Sequence, residues 1–397
     1  MKVKYRGDLP EHLQFRGRGP AHPFYFSWAQ RDLRPKEEAN MSLATDKRWI
    51  RGIIVTGAAI LLWPAAPRAQ QEKGKWTKLA TFPEPAQEIV GTAMPGKVFV
   101  LGGLPIGTEG PKGLVWEYDT ATDKWTKKKR MPLPAHHLAV TTYRGKVYVF
   151  GGGAQLVPGG PNWVPINNAW EYDPVADTWK ALAPMPTARG AAVAAELGGK
   201  IYVIGGASVH PGQKIVGLSA SVPHRALGTN EVYDPETNTW KTLSPMPTSR
   251  NHAAIGVANG KIYVLGGRLG SVFVNASPTD VVEEYDPATD SWGFAKAKMP
   301  MPRSGTAYGS YGGKIYVAGG EYLDNTLVGT YRSFEVFDPV ANDWTELGPL
   351  PVPRHGLVGG VSGNHFYVVS GHLQSGNIYG DAMDSDETDA YELPPAK

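Results

Sequence analysis

The stretch from Ile262 to Trp292 decides the fold: it holds the apolar run Ile262-Tyr263-Val264-Leu265, the doublet Gly266-Gly267, the segment Tyr285-Asp286-Pro287, and Trp292. A short continuous run of β-branched and aromatic residues predicts a strand buried on both faces. The doublet permits positive φ, so it predicts the end of that strand and the start of a loop. Pro287 prevents the next strand from continuing, and Trp292 then falls on another strand. With the strand that precedes it, the stretch predicts a four-stranded antiparallel sheet.

The pattern occurs six times between positions 74 and 393. Its tryptophans recur at similar intervals along the chain: Trp76, Trp125, Trp179, Trp240, Trp292 and Trp344. A doublet follows an apolar anchor at one constant spacing in every copy, the anchors being Phe82, Met131, Met185, Met246, Met299 and Leu350. The segment from the doublet to the next repeat aromatic instead differs in length, being shortest in the first copy and longest in the third. Variation in length is typical of loops, where binding residues collect.

The repeated pattern resembles the kelch repeat, in which an apolar strand is followed by Gly-Gly, a loop of variable length, Tyr-Asp and then Trp. The resemblance covers about 74–393. It implies an all-β, six-bladed β-propeller over 71–397, with four antiparallel strands per blade. Radial packing buries each sheet between two others. The resemblance also implies that the variable loops share one face with the loops that join consecutive blades.

The two ends of the repeat region are complementary. The last copy reaches its third strand at Tyr391 and has no tryptophan after it, whereas an extra strand around Trp76 precedes the first copy. We therefore expect the N-terminal strand to complete the sixth blade and to close the ring.

Composition excludes several classes of function. Zero cysteines exclude disulfides, thiolate metal sites and cysteine nucleophiles. They also exclude the crosslinked cysteine–tyrosine cofactor of copper oxidases of the galactose oxidase kind. Beyond position 70 the chain has 28 Lys and Arg against 31 Asp and Glu, so it lacks the positive field that binds phosphate backbones. Nucleic acid is not expected as a partner, no cofactor is expected, and we expect a monomer.

The N-terminal region resembles an export leader. The apolar stretch from Ile50 to Trp63 follows Lys47 and Arg48 and has Arg51 at its start. It is short for a membrane span, which needs about 20 residues, so 41–70 is interpreted as a signal peptide or an N-terminal anchor. Residues 1–40 are interpreted as non-native or disordered, with Met41 as the true start. We expect a periplasmic or secreted protein, with membrane contact only if the leader stays uncleaved.

An arginine recurs in the blade-joining loops, at the fourth position after the anchor, and it suggests an anion site. Four copies have arginine and the first two have alanine: Arg189, Arg250, Arg303 and Arg354 against Ala86 and Ala135. Guanidinium groups at a channel mouth would bind a carboxylate by bidentate hydrogen bonds. The alternative is a structural role, in which each arginine bonds loop carbonyls or a neighbouring blade. Two further ligand-binding candidates, His252 and His355, follow these arginines closely, and Arg268, Glu321 and His372 follow the doublets.

Other residues have weaker interpretations. Trp163 breaks the repeat register, so it is a candidate to stack on a sugar or a peptide proline, or else a loop plug. We expect no metal site, because no HxH or HExxH spacing is present, and His136-His137 would point to opposite faces of a strand. The apolar run Ile215-Val216-Gly217-Leu218 is expected to cover the channel or to meet a partner. The acidic run Asp381 to Asp389 is interpreted as a solvated loop rather than a calcium site.

Two functions are compatible with these patterns. The first is an exported binding module that recognises a protein, a peptide or an anionic glycan on its loop face. The second is a sugar-acid isomerase resembling the kelch-type N-acetylneuraminate epimerases, with arginines on the carboxylate and Glu321 as the candidate acid or base. The sequence has no sialidase box, P-loop, nucleophile elbow or zincin helix, which favours the binding module.

Overall fold

The computed structural model describes residues 74–104, 110–212, 217–218, 225–270, 278–324, 327–375 and 383–396. The chain divides into two compact units, Met1–Arg68 and Ala69–Lys397, and all of these residues belong to the second. The segments 1–40 and 41–70, with the predicted leader, lie outside the described residues. Among the residues that are described, no helix has the length and apolar character needed to cross a membrane.

The described part of the chain is all-β, and its strands include six four-stranded antiparallel sheets, here called blades 1 to 6 in chain order. Before blade 1 lies β1 (Trp76–Lys78). Blade 1 contains β2 (Gln87–Met94), β3 (Lys97–Leu104), β4 (Leu114–Asp119) and β5 (Lys124–Lys127). The short strand β6 (Ala135–His136) precedes blade 2, which has β7 (Ala139–Tyr143), β8 (Lys146–Phe150), β11 (Ala169–Asp173) and β12 (Thr178–Ala181). The loop between β8 and β11 carries β9 (Gly153–Ala154) and β10 (Val164–Pro165).

Blades 3 to 6 repeat this order. Blade 3 contains β13 (Val193–Leu197), β14 (Lys200–Ile204), β17 (Asn230–Asp234) and β18 (Thr239–Leu243), with the loop hairpin β15 (Ala207–Ser208) and β16 (Arg225–Ala226). Blade 4 contains β19 (Ala254–Ala258), β20 (Lys261–Leu265), β21 (Val282–Asp286) and β22 (Ser291–Trp292). Blade 5 contains β23 (Ala307–Tyr311), β24 (Lys314–Ala318), β27 (Phe334–Asp338) and β28 (Asp343–Glu346), with the loop hairpin β25 (Glu321–Leu323) and β26 (Val328–Thr330). Blade 6 contains β29 (Val358–Ser362), β30 (His365–Val369) and β31 (Thr388–Glu392), and its fourth strand is β1.

The second strand of each blade is the apolar run read from the sequence, and it is buried on both faces. Val264 and Leu265, for example, are at most 1% exposed. Five copies have two glycines in the doublet after this strand, and both glycines have positive φ in each of them. At Gly205, with φ of 70°, an added Cβ would also lie 2.7 Å from the carbonyl oxygen of Arg250. Glycine is needed there both for backbone conformation and for close packing against the next blade-joining loop.

The repeat tryptophans fasten each blade to the segment before it. Each indole Nε1 donates a hydrogen bond of 2.8–3.0 Å to a backbone carbonyl in that segment, the acceptors being Gly348, Ala80, Lys129, Ala183, Ser244 and Ala297 in the order Trp76 to Trp344. Each tryptophan also packs on the repeat aromatic opposite it in the sheet, as Trp240 does on Tyr233 at 5.1 Å between ring centroids. One side chain therefore links the outer two strands of a blade to the neighbouring blade.

The first and last segments of the described chain are paired. Strand β1 runs antiparallel to β31, with Trp76 opposite Tyr391, which is the pairing expected from the sequence. The innermost strands contact one another in a closed cycle: β2, β7, β13, β19, β23, β29 and again β2. These strands surround a central channel, so residues at equivalent positions of different blades meet at its axis.

Candidate functional site

The blade-joining loops and the loops after the doublets lie at the same end of the sheets. Backbone pairing joins the two kinds of loop in five blades: His136 with Gly153, Gly190 with Ala207, Asn251 with Arg268, Ser304 with Glu321, and His355 with His372. The turns between third and fourth strands lie at the other end, because successive antiparallel strands reverse direction. We call the first end the loop face. The prediction that both sets of loops share one face is confirmed.

The four repeated arginines lie below this face and do not reach the solvent. Arg189, Arg250, Arg303 and Arg354 are each at most 1% exposed. Each forms an ion pair with a carboxylate on the third strand of its own blade, the partners being Glu231, Glu283, Glu335 and Asp389. Arg250 also donates to the carbonyl oxygens of Val264, at 2.9 Å, and Thr248, at 3.1 Å.

Each guanidinium is thus engaged by a carboxylate of its own blade, which favours the structural role, and the ligand-binding role of these arginines stays a prediction. Removing a charge from water costs several kcal/mol unless a partner compensates it, and here the partner is a carboxylate of the same blade. Blades 1 and 2, which have Ala86 and Ala135 in place of the arginine, have Trp116 and Trp170 in place of the carboxylate. Each tryptophan belongs to the same apolar cluster as its alanine. The joining-loop residue and the third-strand residue thus differ together from blade to blade, which is expected if the two side chains pack on each other.

Glu321, the acid–base candidate from the sequence, is also enclosed and is held by other side chains. It is 1% exposed, forms an ion pair with Arg268, and accepts a hydrogen bond of 2.7 Å from Ser375. The Nε2 atom of His355 lies 3.5 Å from its second oxygen. Burial raises the pKa of Glu321, but His355 and Arg268 lower it below the ordinary value. An ionised, fully engaged carboxylate anchors the loops of blades 4, 5 and 6 and is a poor proton donor at neutral pH.

The remaining ligand candidates, apart from Arg268, lie around the channel axis. His355 is 2% exposed and its Nε2 atom lies 3.7 Å from a carboxylate oxygen of Glu88. His252 is partly exposed and its ring lies 4.8 Å from that of His137 between centroids. Trp163 stacks on His137, with 4.2 Å between centroids and 19° between planes. This contact is compatible with the loop-plug role of Trp163, and its role in stacking on a ligand stays a prediction. Arg268, at 7% exposed, is held by Glu321.

Sequence reasoning missed a set of equivalent positions at the axis. The sixth residue after each anchor has φ between 52° and 63°, in the left-handed region, and these residues are Glu88, His137, Ala191, His252, Gly305 and Gly356. Four of them continue a chain of backbone hydrogen bonds around the mouth: Ala191 to His137, His252 to Ala191, Gly305 to His252 and Gly356 to Gly305. Three of the six have side chains with polar atoms, and the structure brings those three together.

A left-handed backbone conformation also changes where the side chains of His136 and His137 point. A regular strand would send His136 and His137 to opposite faces, but His137 has φ of 54° and the Nδ1 atoms of the two rings are in contact. The Nε2 atom of His136 lies 3.1 Å from the carbonyl oxygen of Asn162. Burial, followed by the neighbouring His137, lowers the pKa of His136 to about 3, so this buried ring is neutral at ordinary pH.

The space at the axis is small. On the loop side, Glu88, His137, His252 and Tyr308 are among the residues that line a cavity of about 70 Å³. At the other side of the channel a cavity of about 370 Å³ is lined by residues of the innermost strands, and Tyr308 borders both. Small-molecule pockets usually measure roughly 300–1,000 Å³. The loop-side cavity lined by the described residues is therefore smaller than a usual small-molecule site, and together with the enclosed arginines it gives no support to the isomerase.

Exposed apolar side chains are a second feature of the loop face. Five of them lie in the loops after the doublets of blades 2, 4 and 5, with exposures of 48–59%: Leu156, Val157, Leu269, Leu327 and Val328. The predicted run at Ile215-Val216 lies outside the described residues, as does Asp381. The described acidic residues are not simply solvated, because Asp384 bonds His372 at 2.9 Å and Glu387 pairs with Lys78 at 2.9 Å.

Comparison with known proteins agrees with this architecture. The sequence profile of the Attractin/LZTR1 β-propeller family matches residues 98–383. The chain is 32% identical over 206 residues to Kelch-like protein 25 of Xenopus tropicalis, covering 52% of this chain and 32% of that protein. It is 28% identical over 244 residues to Kelch-like protein terF of Aspergillus terreus, covering 50% and 52%. Beta-scruin of Limulus polyphemus is 33% identical over 192 residues, covering 47% and 19%.

A solved structure shares the fold. The structure of YjhT superposes with a TM-score of 0.61 and 18% sequence identity, covering 78% of this chain and 95% of that chain. The chain spans no more than about half the length of the three curated relatives described above.

Proposed function

Because this chain belongs to the kelch-repeat β-propeller family of the Attractin/LZTR1 type, we propose that it is a protein-interaction module which binds its partner on the loop face. The observation that carries the proposal is the group of exposed apolar side chains in the loops of blades 2, 4 and 5. Exposed apolar side chains on a rigid scaffold mark protein-interaction sites when they form a patch. The leader pattern of 41–70 adds the proposal that the module acts in the periplasm or outside the cell.

The scaffold suits this role because buried ion pairs beneath the loop face fix its loops. The buried ion pairs of blades 3 to 6 and the Arg268–Glu321 pair fix the joining loops, and the loops of blades 2, 3 and 5 contain the paired strands β9/β10, β15/β16 and β25/β26. A preorganised surface loses less conformational entropy on binding than a mobile one. Backbone pairing in these three loops therefore lowers the entropic cost of binding a partner there.

Affinity capture with surface variants tests the proposal. The test variant is Leu327→Ser with Val328→Ser, on the loop face of blade 5. The matched control is Val175→Ser with Val340→Ser, two valines that are 95% and 82% exposed on the turns at the opposite end of the blades. We expect the native protein and the control to retain the same partner protein from extracts of the producing organism, and the test variant to retain at least about tenfold less, since one lost hot-spot residue costs about 1–2 kcal/mol or more. Equal retention by all three proteins would contradict the proposal.

A further inference from the structure

Three side chains from three blades meet at the loop-side mouth of the channel. They are Glu88 of blade 1, His137 before blade 2 and His252 before blade 4, and one ligand-type atom of each lies within 4.8 Å of those of the other two. All three occupy the equivalent left-handed positions described above. The blades between and opposite them have Ala191, Gly305 and Gly356 at these positions, so small residues leave the centre of the ring clear.

Contacts on the other side of its ring direct one nitrogen of His137 toward Glu88. The Nε2 atom of His136 lies 3.1 Å from the carbonyl oxygen of Asn162, and the Nδ1 atoms of His136 and His137 are in contact. The Nε2 atom of His137 lies 3.1 Å from a carboxylate oxygen of Glu88. An imidazole nitrogen and a carboxylate oxygen from different blades thus face one another, and a metal ion can bind to both.

The second histidine is oriented in a similar way. The Nδ1 atom of His252 lies 2.5 Å from Oδ1 of Asn251, an amide oxygen that can only accept from the ring. Metal-binding histidines usually donate their other ring N–H to an outer oxygen or similar acceptor, which fixes the tautomer and the ring plane. Trp163, stacked on His137, restricts that ring as well.

We propose that Glu88, His137 and His252 form a binding site for a divalent transition-metal ion of the zinc class. Two imidazole nitrogens and one carboxylate oxygen are a ligand set that zinc accepts, with a fourth position left for water or another ligand. With bonds of about 2.0 Å, ligand atoms of a tetrahedral ion lie about 3.3 Å apart. The 3.1 Å between His137 and Glu88 is close to this value. All three residues line the cavity of about 70 Å³, which has room for a water molecule.

Such an ion would join three blades at the axis. Its ligands come from positions 88, 137 and 252 of the chain, and each lies where one blade passes to the next. The ion would stabilise the loop face without contributing to the outer strands, and the proposal does not depend on the partner of that face.

Zinc titration of the protein freed of any affinity tag and treated with a chelator tests the site. Calorimetry is expected to show one zinc ion per chain, and Co²⁺ is expected to give the visible absorption of a tetrahedral complex. His252→Asn keeps a residue that tolerates positive φ, and Glu88→Gln keeps the side-chain length. Each is expected to weaken zinc binding by about a hundredfold or more, since even outer-shell changes cost about 10–100-fold. His365→Asn, on a blade 6 hairpin away from the cluster, is the control and should bind as the native protein does.

Two results would overturn the proposal. One is native protein that binds no zinc, which would mean that His137 and Glu88 are joined by a proton instead. The other is zinc binding that survives in both ligand variants, which would place the ion elsewhere. Because the native protein alone can give the first result, the test does not depend on the folding of either variant.

Discussion

Replacing Arg250 by alanine should destabilise the propeller strongly, because it leaves Glu283 buried without its counter-charge. The guanidinium is 1% exposed and the carboxylate 5% exposed, and they are in direct contact. Removing one member of a buried ion pair costs about 3–5 kcal/mol. Glu283 would keep hydrogen bonds from the backbone N–H and the hydroxyl of Thr248, which places the cost near the lower end of this range.

The chain itself indicates how the loss can be compensated. Blades 1 and 2 have an alanine and a tryptophan at these two positions, so Arg250→Ala combined with Glu283→Trp gives blade 4 the arrangement of blades 1 and 2. Well-packed apolar replacements of buried ion pairs are often neutral. The double variant should therefore lie within about 2 kcal/mol of the native protein, which requires a coupling energy of at least about 1 kcal/mol.

Urea unfolding of the native protein, both single variants and the double variant measures this cycle. Arg144→Ala is the control, because Arg144 pairs with Glu236 on the surface and exposed pairs contribute little. The reasoning is refuted if Arg250→Ala unfolds at the same urea concentration as Arg144→Ala, or if the double variant is less stable than both single variants.

Two further predictions concern the closure of the ring and the pH dependence of stability. Trp76→Ala removes the hydrogen bond to Gly348 and the contact with Tyr391, so we expect one cooperative unfolding transition whose free energy is lower by about 3 kcal/mol. Calorimetry should show no such change for the control Phe294→Ala, because Phe294 is 95% exposed. Equal melting temperatures of the two variants would contradict the closure of the ring by β1. Burial raises the pKa of Glu284, but hydrogen bonds from Lys261 and other neighbours lower it from 4.5 to about 2. A lowered pKa stabilises the fold above pH 4.5 and loses this contribution as pH falls toward 2, so Glu284→Gln should cost about 2 kcal/mol at pH 7 and progressively less below pH 4.5. A stability difference independent of pH would refute that assignment.

The architecture could be predicted from the sequence because each copy repeats the same pattern of residue types and spacings. The strand Val98-Phe99-Val100-Leu101, the doublet after it and the pairing of Trp76 with Tyr391 all follow from residue type and spacing. These features depend on contacts within one blade, or on one missing strand, and a single sequence carries that information.

The role of the arginines could have been recognised from the same sequence. Glutamate or aspartate lies two positions before the repeat aromatic wherever the joining loop has arginine, and tryptophan lies there where it has alanine, as with Ala86 and Trp116. Two positions that change together among the repeats indicate contact. Burial of the pair could not be read from residue type, because an exposed guanidinium and a buried one have the same sequence pattern.

The axial cluster could not be predicted because it depends on the closed ring. Glu88 belongs to blade 1 and His252 precedes blade 4, so they are distant in the sequence and only radial packing places them at one channel mouth. The left-handed φ at His137 also contradicts the strand alternation assumed from sequence, and it is this φ that directs the ring toward Glu88. Metal-site spacings in sequence describe ligands on one helix or hairpin, which a propeller axis does not use.

Site-specific photo-crosslinking in the producing organism tests directly whether a partner protein binds the loop face. A photoreactive residue is placed in turn at Leu156, Leu269 and Leu327 and at the exposed control positions Val175 and Val340. We expect the first three positions to crosslink to one common protein and the two controls not to crosslink to it. Crosslinks to that protein from Val175 or Val340, with none from the loops of blades 2, 4 and 5, would contradict it.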